Sequence, residues 1–582
     1  MMRRWWLALV ILVLAATLRG LWLTADPPSD TWTAVGVVWH DEGAWTHNAR
    51  NQALLGVWRT DAWNPIFIAP VFTALEYVSF EMFGVGTWQA RMVPIVSGLV
   101  AVLALMAGLA VVADRRAALI GGLLLATNYT WVMWNRAALM ESTMTAFIVV
   151  SWAAYALASS SSTRGRVWVW GVLTGVAAVA AFFTKAAAAF FIAALVLELA
   201  TTWWISRKPV ISPSPHPPTS PSPHLPILAG LCAATLVALA VLVVPYWTEF
   251  QFYNWEMTVT RKPVYTLQAL LDRATWLPIV HGTFTRMWLV LVVASLAAFM
   301  IVTRWRTAHP AERLAVLWLA VGLAELVVHD SGNERRYVMF VPALIALACL
   351  AMRRCGDEER GRWGDGEMRR WVLLPTVAGG LAYLVAGSLL RLLWLDDVLA
   401  GQFSATVRVS ASIAVLTGAA VWWFRHRFTA WLQAWRMSTA VVAGVVALTV
   451  GTDLALYGVW APTRTTHNHD ASRMLGGILP PGTLVHGKLA NGLSLENQIA
   501  PVFVGRGFGN YADRLERDDA RYILTYTAPE PGYEGEVILD VLQRYPQRRV
   551  ILEFDVQETP GPDRAVLIDK FPDGPDPRAR DK

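Results

Sequence analysis

Long apolar runs separated by short polar stretches fill most of residues 5–457, and each approaches the roughly 20 residues that an α-helix needs to cross a bilayer. The pattern predicts thirteen membrane-spanning helices, over 5–24, 93–112, 117–134, 143–160, 167–184, 187–205, 226–245, 287–303, 313–329, 337–352, 371–394, 407–424 and 438–457. Two long segments interrupt it. In residues 25–90 the second half, Asn64-Pro65-Ile66-Phe67 through Phe83-Gly84, is apolar with scattered charges such as Glu76 and Glu81. That composition predicts helices lying along the membrane surface. Residues 246–285 hold Tyr246-Trp247, Tyr253-Asn254-Trp255 and Arg261-Lys262-Pro263.

Beyond Tyr457 the pattern changes. Short β-rich runs (Thr483–Val485, Tyr522–Tyr526, Val550–Phe554, Ala565–Ile568) alternate with helix-like stretches (Ala490–Gln498, Tyr511–Arg517, Gly535–Arg544). A small α/β domain outside the membrane is the expectation. The fold class is therefore an α-helical polytopic membrane protein carrying a small C-terminal α/β domain.

Composition agrees. The 582 residues are 55% hydrophobic and 16% charged, with 30 Trp and a mean hydropathy of +0.41. A soluble protein would carry about 25% charged residues. The net charge of +6 does not point to nucleic acid, because the basic residues fall in alternate loops: Arg3-Arg4, Arg115-Arg116, Arg164 and Arg166, Arg207-Lys208, Arg304 and Arg306, Arg353-Arg354 through Arg369-Arg370, and Arg425 with Arg427. By the positive-inside rule these loops are cytoplasmic. The N-terminus is then inside, and residues 25–90 and everything after Tyr457 face outward, in an integral plasma-membrane protein. Met1-Met2-Arg3-Arg4 before an apolar stretch fits a signal peptide, but no clear small-x-small site follows, and an uncleaved first helix is expected. Cys232, Cys349 and Cys355 map to helices or the cytoplasmic side, so no disulfide supports the outer regions.

Four outward-facing clusters carry groups suited to chemistry. They are His40-Asp41-Glu42, Asn135-Arg136 with Glu141, Thr184-Lys185, and His329-Asp330 with Glu334-Arg335-Arg336-Tyr337. Ionised groups at a bilayer surface are rarely kept without chemistry or a cationic partner. All four share one face by this topology, and they mix both signs of charge, as an acid/base reaction with an anionic leaving group requires. Simpler readings stay open. Asp41-Glu42 fits a solvated loop, and Glu141 a structural pair with Arg136 at a helix start. Lys185 fits a snorkelling side chain, Arg335-Arg336 an anchor to headgroups, and Glu325 a buried hydrogen-bonding group. His467-Asn468-His469-Asp470 has metal-like spacing but no further placed ligands, and reads as a polar loop. Val504-Gly-Arg-Gly-Phe-Gly509 reads as a turn. The near-repeat Ser212–His216 and Ser220–His224 reads as an extended linker.

Taken in order, these segments resemble the GT-C superfamily of polyprenyl-phosphate-sugar glycosyltransferases, of the protein O-mannosyltransferase and lipid A aminoarabinose transferase type. Leu18-Arg19 precedes Asp41-Glu42. Asn64-Pro65 leads through Phe83-Gly84 to Ala90-Arg91-Met92. Arg136 with Glu141, Thr184-Lys185, and Arg336-Tyr337 with Pro342 complete the set. The resemblance covers roughly residues 5–350. Asn64-Pro65 departs from the family's usual His-Pro, Glu141 from a commoner Asp, and Ala186-Ala187 from Gly-Pro.

The resemblance implies a catalytic transmembrane domain over 1–457 and an extracytoplasmic domain over 458–582. It implies a polyprenyl-phosphate-linked sugar donor, a hydroxyl or phosphate of a lipid, glycan or protein as acceptor, membrane lipids as partners, and no required cofactor or metal. In the implied roles Asp41, Glu42 and Glu141 are catalytic, with Asp41 as base. Lys185, Arg335, Arg336 and Tyr337 hold the donor phosphate, supported by His40 and Arg136. The alternatives are a metal-dependent oligosaccharide transferase, which EDTA would distinguish, and a transporter or flippase of lipid-linked sugars, which would show uptake without transfer.

Overall fold

The computed structural model describes residues 6–61, 63–207, 222–260, 264–279, 282–329, 332–353, 367–434, 437–503, 519–526, 543–557 and 563–573. Every predicted span falls on a helix, because an apolar segment in lipid can satisfy its backbone only within itself. The first elements are α1 (Trp6–Gly20), α2 (His40–Leu55), α3 (Pro70–Phe83), α4 (Thr87–Val112), α5 (Arg115–Thr127), α6 (Tyr129–Asn135), α7 (Met140–Ser160) and α8 (Arg164–Thr184). Among the described residues nine helices are long and apolar enough to cross a membrane, or ten if the α5–α6 pair is one span. Trp6–Gly20 and Trp288–Thr303 are apolar but shorter. The chain is an integral membrane protein.

In the part before the α/β unit, two predicted features differ. The expected span over 117–134 is bent by 61° between α5 and α6. Two acceptors cap the second piece and so stabilise the break: the Asn128 side chain takes the Trp131 N–H at 3.0 Å, and Asp453 takes the Tyr129 N–H at 3.0 Å. The second difference lies before α3, where His40–Leu55 is a helix rather than open loop. Asp41 and Glu42 occupy its first turn, where the helix dipole favours acids. Gly56, in the left-handed region at φ 71°, ends it. Much of its covered surface is polar, with His47, Asn48, Arg50 and Asn51 all buried.

A large apolar core runs through the helical part and encloses Trp131, Trp134, Trp152 and Trp318. Glu198 and Arg313 are buried within it and paired at 2.7 Å, with Thr202 and Ala308 taking further guanidinium N–H groups. That pair is internally satisfied and stands apart from the predicted clusters.

After the helix Thr439–Thr463 comes an α/β unit. Among the described residues it has five strands, β1 (Leu484–His486), β2 (Ala500–Val502), β3 (Tyr522–Tyr526), β4 (Arg549–Val556) and β5 (Asp563–Asp569), in the order β2-β1-β3-β5-β4. β1 runs parallel to β2 and β3, while β5 runs antiparallel to β3 and β4. The predicted helix over 490–498 is shorter and earlier, at Lys488–Gly492. His467-Asn468-His469-Asp470 opens the helix His467–Ile478 instead of forming a loop. Asp26 caps that helix by accepting from His467 N at 2.7 Å and Asn468 N at 3.2 Å. Asp330, Cys355, Arg261-Lys262-Pro263, Val504–Gly509, Tyr511–Arg517, most of Gly535–Arg544 and most of the proline-rich repeat lie outside the described residues.

Candidate active site

The two acids of α2 have divergent surroundings. Glu42 is 4% exposed. Arg91, one turn into α4, grips it with two bonds of 2.8 and 2.7 Å, and Ala138 N adds a third at 2.6 Å. Arg91 also spans the carbonyls of Leu23 and Ala25, each at 2.7 Å. A bidentate, desolvated pair of this kind fixes geometry. The Asp41 side chain keeps 21% of its surface open; Arg335 donates to one oxygen at 3.2 Å, and the His40 ring stands 3.5 Å from the other.

Lys185 lies between the end of α8 and the short turn Ala186–Ala188, where its backbone N–H closes on Ala181. Its ammonium contacts Glu141, in the first turn of α7, and Arg335 Nε is 3.9 Å from the same carboxylate oxygen. Asp41, Arg335, Glu141 and Lys185 therefore form one continuous chain of alternating charge. Burial pulls the Lys185 pKa down to about 8; Glu141 opposes that shift, while Arg335 and Arg336 add to it.

The other predicted residues flank this chain. Arg336 bonds Glu325 at 2.9 Å, with His329 at 3.5 Å from the same oxygen. Tyr337 is buried, edge-on to Phe284. His40 packs on Trp39. Arg136 does not pair with Glu141. Instead it gathers the terminal carbonyls of α1 and the residues after it, donating to Arg19, Leu21 and Trp22 at 2.8, 2.5 and 2.6 Å, and lies over the Trp460 ring. Unsatisfied carbonyls at a helix end outcompete a distant carboxylate for that guanidinium.

Several groups were not anticipated in these roles. Arg91 is the cation of Glu42, and its placement ahead of an apolar span was the available signal. Glu334 accepts from Arg286 at 2.9 Å, Thr283 at 2.7 Å and Gly36 N, tying the first loop to the segment before the Tyr337 helix. Glu76, on α3, is 0% exposed, and neither oxygen has a hydrogen-bond partner. Burial, with Glu42 nearby, raises its pKa well above the usual carboxylate range. Among the described residues no three His, Cys, Asp or Glu side chains are grouped to hold a metal ion.

Residues 68–214 match the family model described as dolichyl-phosphate-mannose-protein mannosyltransferase. The fold is similar to ArnT from Cupriavidus metallidurans in the apo state, with a TM-score of 0.55 and 18% identity over 97% of both chains. The same protein bound to undecaprenyl phosphate gives 0.53 and 17% over 98% of both. No curated protein matches the chain by sequence. The chain thus has an ArnT-like fold, α-helical with a small C-terminal sheet.

Proposed function

We propose that this chain is an inverting glycosyltransferase that moves a sugar from a polyprenyl-phosphate carrier to an acceptor on the outer face of the membrane. A glycosyltransferase drawing on polyprenyl-phosphate-linked sugar is the coarser statement, and the family match over 68–214 and the ArnT-like fold support it. The observation that carries the finer reading is the charge chain. An accessible carboxylate, Asp41, lies one guanidinium away from a desolvated ammonium, Lys185, held by Glu141.

In this reading the acceptor hydroxyl oxygen attacks the anomeric carbon of the donor. The new C–O bond forms as the bond from that carbon to the phosphate oxygen breaks, and the hydroxyl proton passes to Asp41. General-base help of this kind contributes on the order of 10²–10⁴ in rate. The departing polyprenyl phosphate gains negative charge, which Lys185 and Arg335 stabilise, with Arg336 adding field from beside them. One displacement inverts the anomeric centre. Undecaprenyl phosphate occupies the structurally similar ArnT, which supports a carrier of that chemical class here.

Glu42 acts through position: its three hydrogen bonds hold the first turn of α2, and with it Asp41. The test is Asp41→Asn in membranes supplied with a polyprenyl-phosphate sugar and an acceptor. Loss of transfer with the protein still folded is expected, and unimpaired turnover would remove the base assignment.

A further inference from the structure

The C-terminal α/β unit reaches the candidate site through contacts that the proposed chemistry does not use. Arg50, near the end of α2, is fully buried and donates to three backbone carbonyls of that unit: Ser494 and Asn497 at 2.9 Å and Ile499 at 3.0 Å. Among the described residues no carboxylate pairs with it, and burial alone pulls its pKa down to about 9. A contact serving only to pack two surfaces would be made more cheaply by an apolar side chain, because an uncompensated buried charge is costly. What a guanidinium adds is direction, since its planar fork fixes three acceptors at once.

The other end of α2 is gripped as well. Trp39, just before His40, is 2% exposed and belongs to one apolar cluster with Leu475, Leu489, Leu493 and Phe554 of the α/β unit. A Cβ on Gly43 would stand 1.8 Å from the carbonyl oxygen of Asn491, and one on Gly492 would stand 2.8 Å from His40 Cβ. The two backbones meet at closer range than any side chain allows.

A second arm reaches α4. That helix begins after Gly86, which has no side chain to cap it. Glu496 supplies the cap from the α/β unit, accepting the Thr87 N–H at 2.7 Å, while His469 stands 3.8 Å from the same oxygen. Arg91, which holds Glu42, is one turn further along.

We infer that the C-terminal unit is a clamp that sets the position of Asp41, with Arg50 and Glu496 as its positioning residues. Arg50 fixes α2 and Glu496 fixes the start of α4, so both members of the Glu42–Arg91 pair are referred to one rigid body. The effect on rate rests on the proposed role of Asp41; the mechanical coupling does not.

The experiment compares full-length wild type, Arg50→Met, Arg50→Lys, Glu496→Ala and Gly43→Ala by hydrogen exchange and by sugar transfer. In Arg50→Met and Gly43→Ala, amides 41–46 exchange about tenfold faster or more, while β3 and β5 are unchanged. In Glu496→Ala the same acceleration falls on 87–91. Small misplacements of a reacting group cost large factors in rate, so kcat drops about tenfold or more with donor KM within about twofold, and Arg50→Lys recovers part of the loss. Wild-type exchange at these amides in all variants overturns the clamp. So does loosening that spreads through β3 and β5, or an unchanged kcat once α2 has loosened. Should the wild type transfer no sugar from any polyprenyl-phosphate donor, the glycosyltransferase reading falls and the exchange data alone decide the clamp.

Discussion

Arg335 donates to the Asp41 carboxylate at 3.2 Å and stands 3.9 Å from Glu141, so one guanidinium joins the acid on α2 to the acid that holds Lys185. A shared cation orients both carboxylates and keeps their like charges from separating them. It also places the proposed base and the proposed phosphate site side by side.

Replacing Asp41 with Asn keeps its shape and removes its capacity to take a proton. Transfer should fall by about 10²–10⁴-fold. The melting temperature should change little, because Asp41 is partly exposed. Initial rates with radiolabelled donor, paired with a thermal melt of the purified protein, check both halves.

Glu42 should show the opposite balance. Its removal leaves Arg91 buried without its contacting carboxylate, and breaking such a pair costs about 3–5 kcal/mol. Glu42→Gln should lower the melting temperature markedly where Asp41→Asn does not. A melt of equal magnitude in the two variants would contradict the division of roles between them.

In the proposed reading, Lys185 sets a pH limit on donor binding. Its pKa of about 8 in the folded chain lies below the ordinary lysine value, so it is charged below pH 8 and loses that charge as pH rises. Donor KM should be flat from about pH 6 to 7.5 and climb above about pH 8. Lys185→Arg stays protonated throughout, so its KM should lose this dependence whatever its absolute value.

Glu76 gives a prediction about stability. Its folded pKa is raised well above the ordinary value, so the folded chain keeps a proton that the unfolded chain releases. Stability therefore falls as pH rises through the window between those two values. Glu76→Gln should stabilise the protein by about 1 kcal/mol or more at neutral pH, with a smaller gain near pH 4.5. Melting curves across that range measure it.

The helices were legible because lipid demands long apolar runs, and Glu334–Tyr337, Lys185 and Glu141 could be placed at helix ends by the same pattern. β3 appears with its predicted bounds. β2 was missed because Ala500-Pro501-Val502 is three residues with a proline, which fits only at a sheet edge. The helix α2 was hidden for another reason. Its polar surface carries no apolar period, and the groups that bury it, such as Ser494 and Asn497, lie hundreds of positions away. The bend at Asn128 was hidden likewise, because Asp453, which secures it, comes from a distant helix. Charge pairing was the least legible part. Arg136 and Arg91 are both arginines at helix ends, and only the fold decides that one gathers carbonyls while the other takes Glu42.

Trp39 and Arg50 are synthesised well before the surfaces that receive them, with Arg50 444 positions ahead of Ser494. Ribosomal order therefore delivers the proposed nucleophile-activating acid long before the partner that seats it. Until those later residues follow, the nascent chain carries the proposed acids and cations without the surface proposed to seat them.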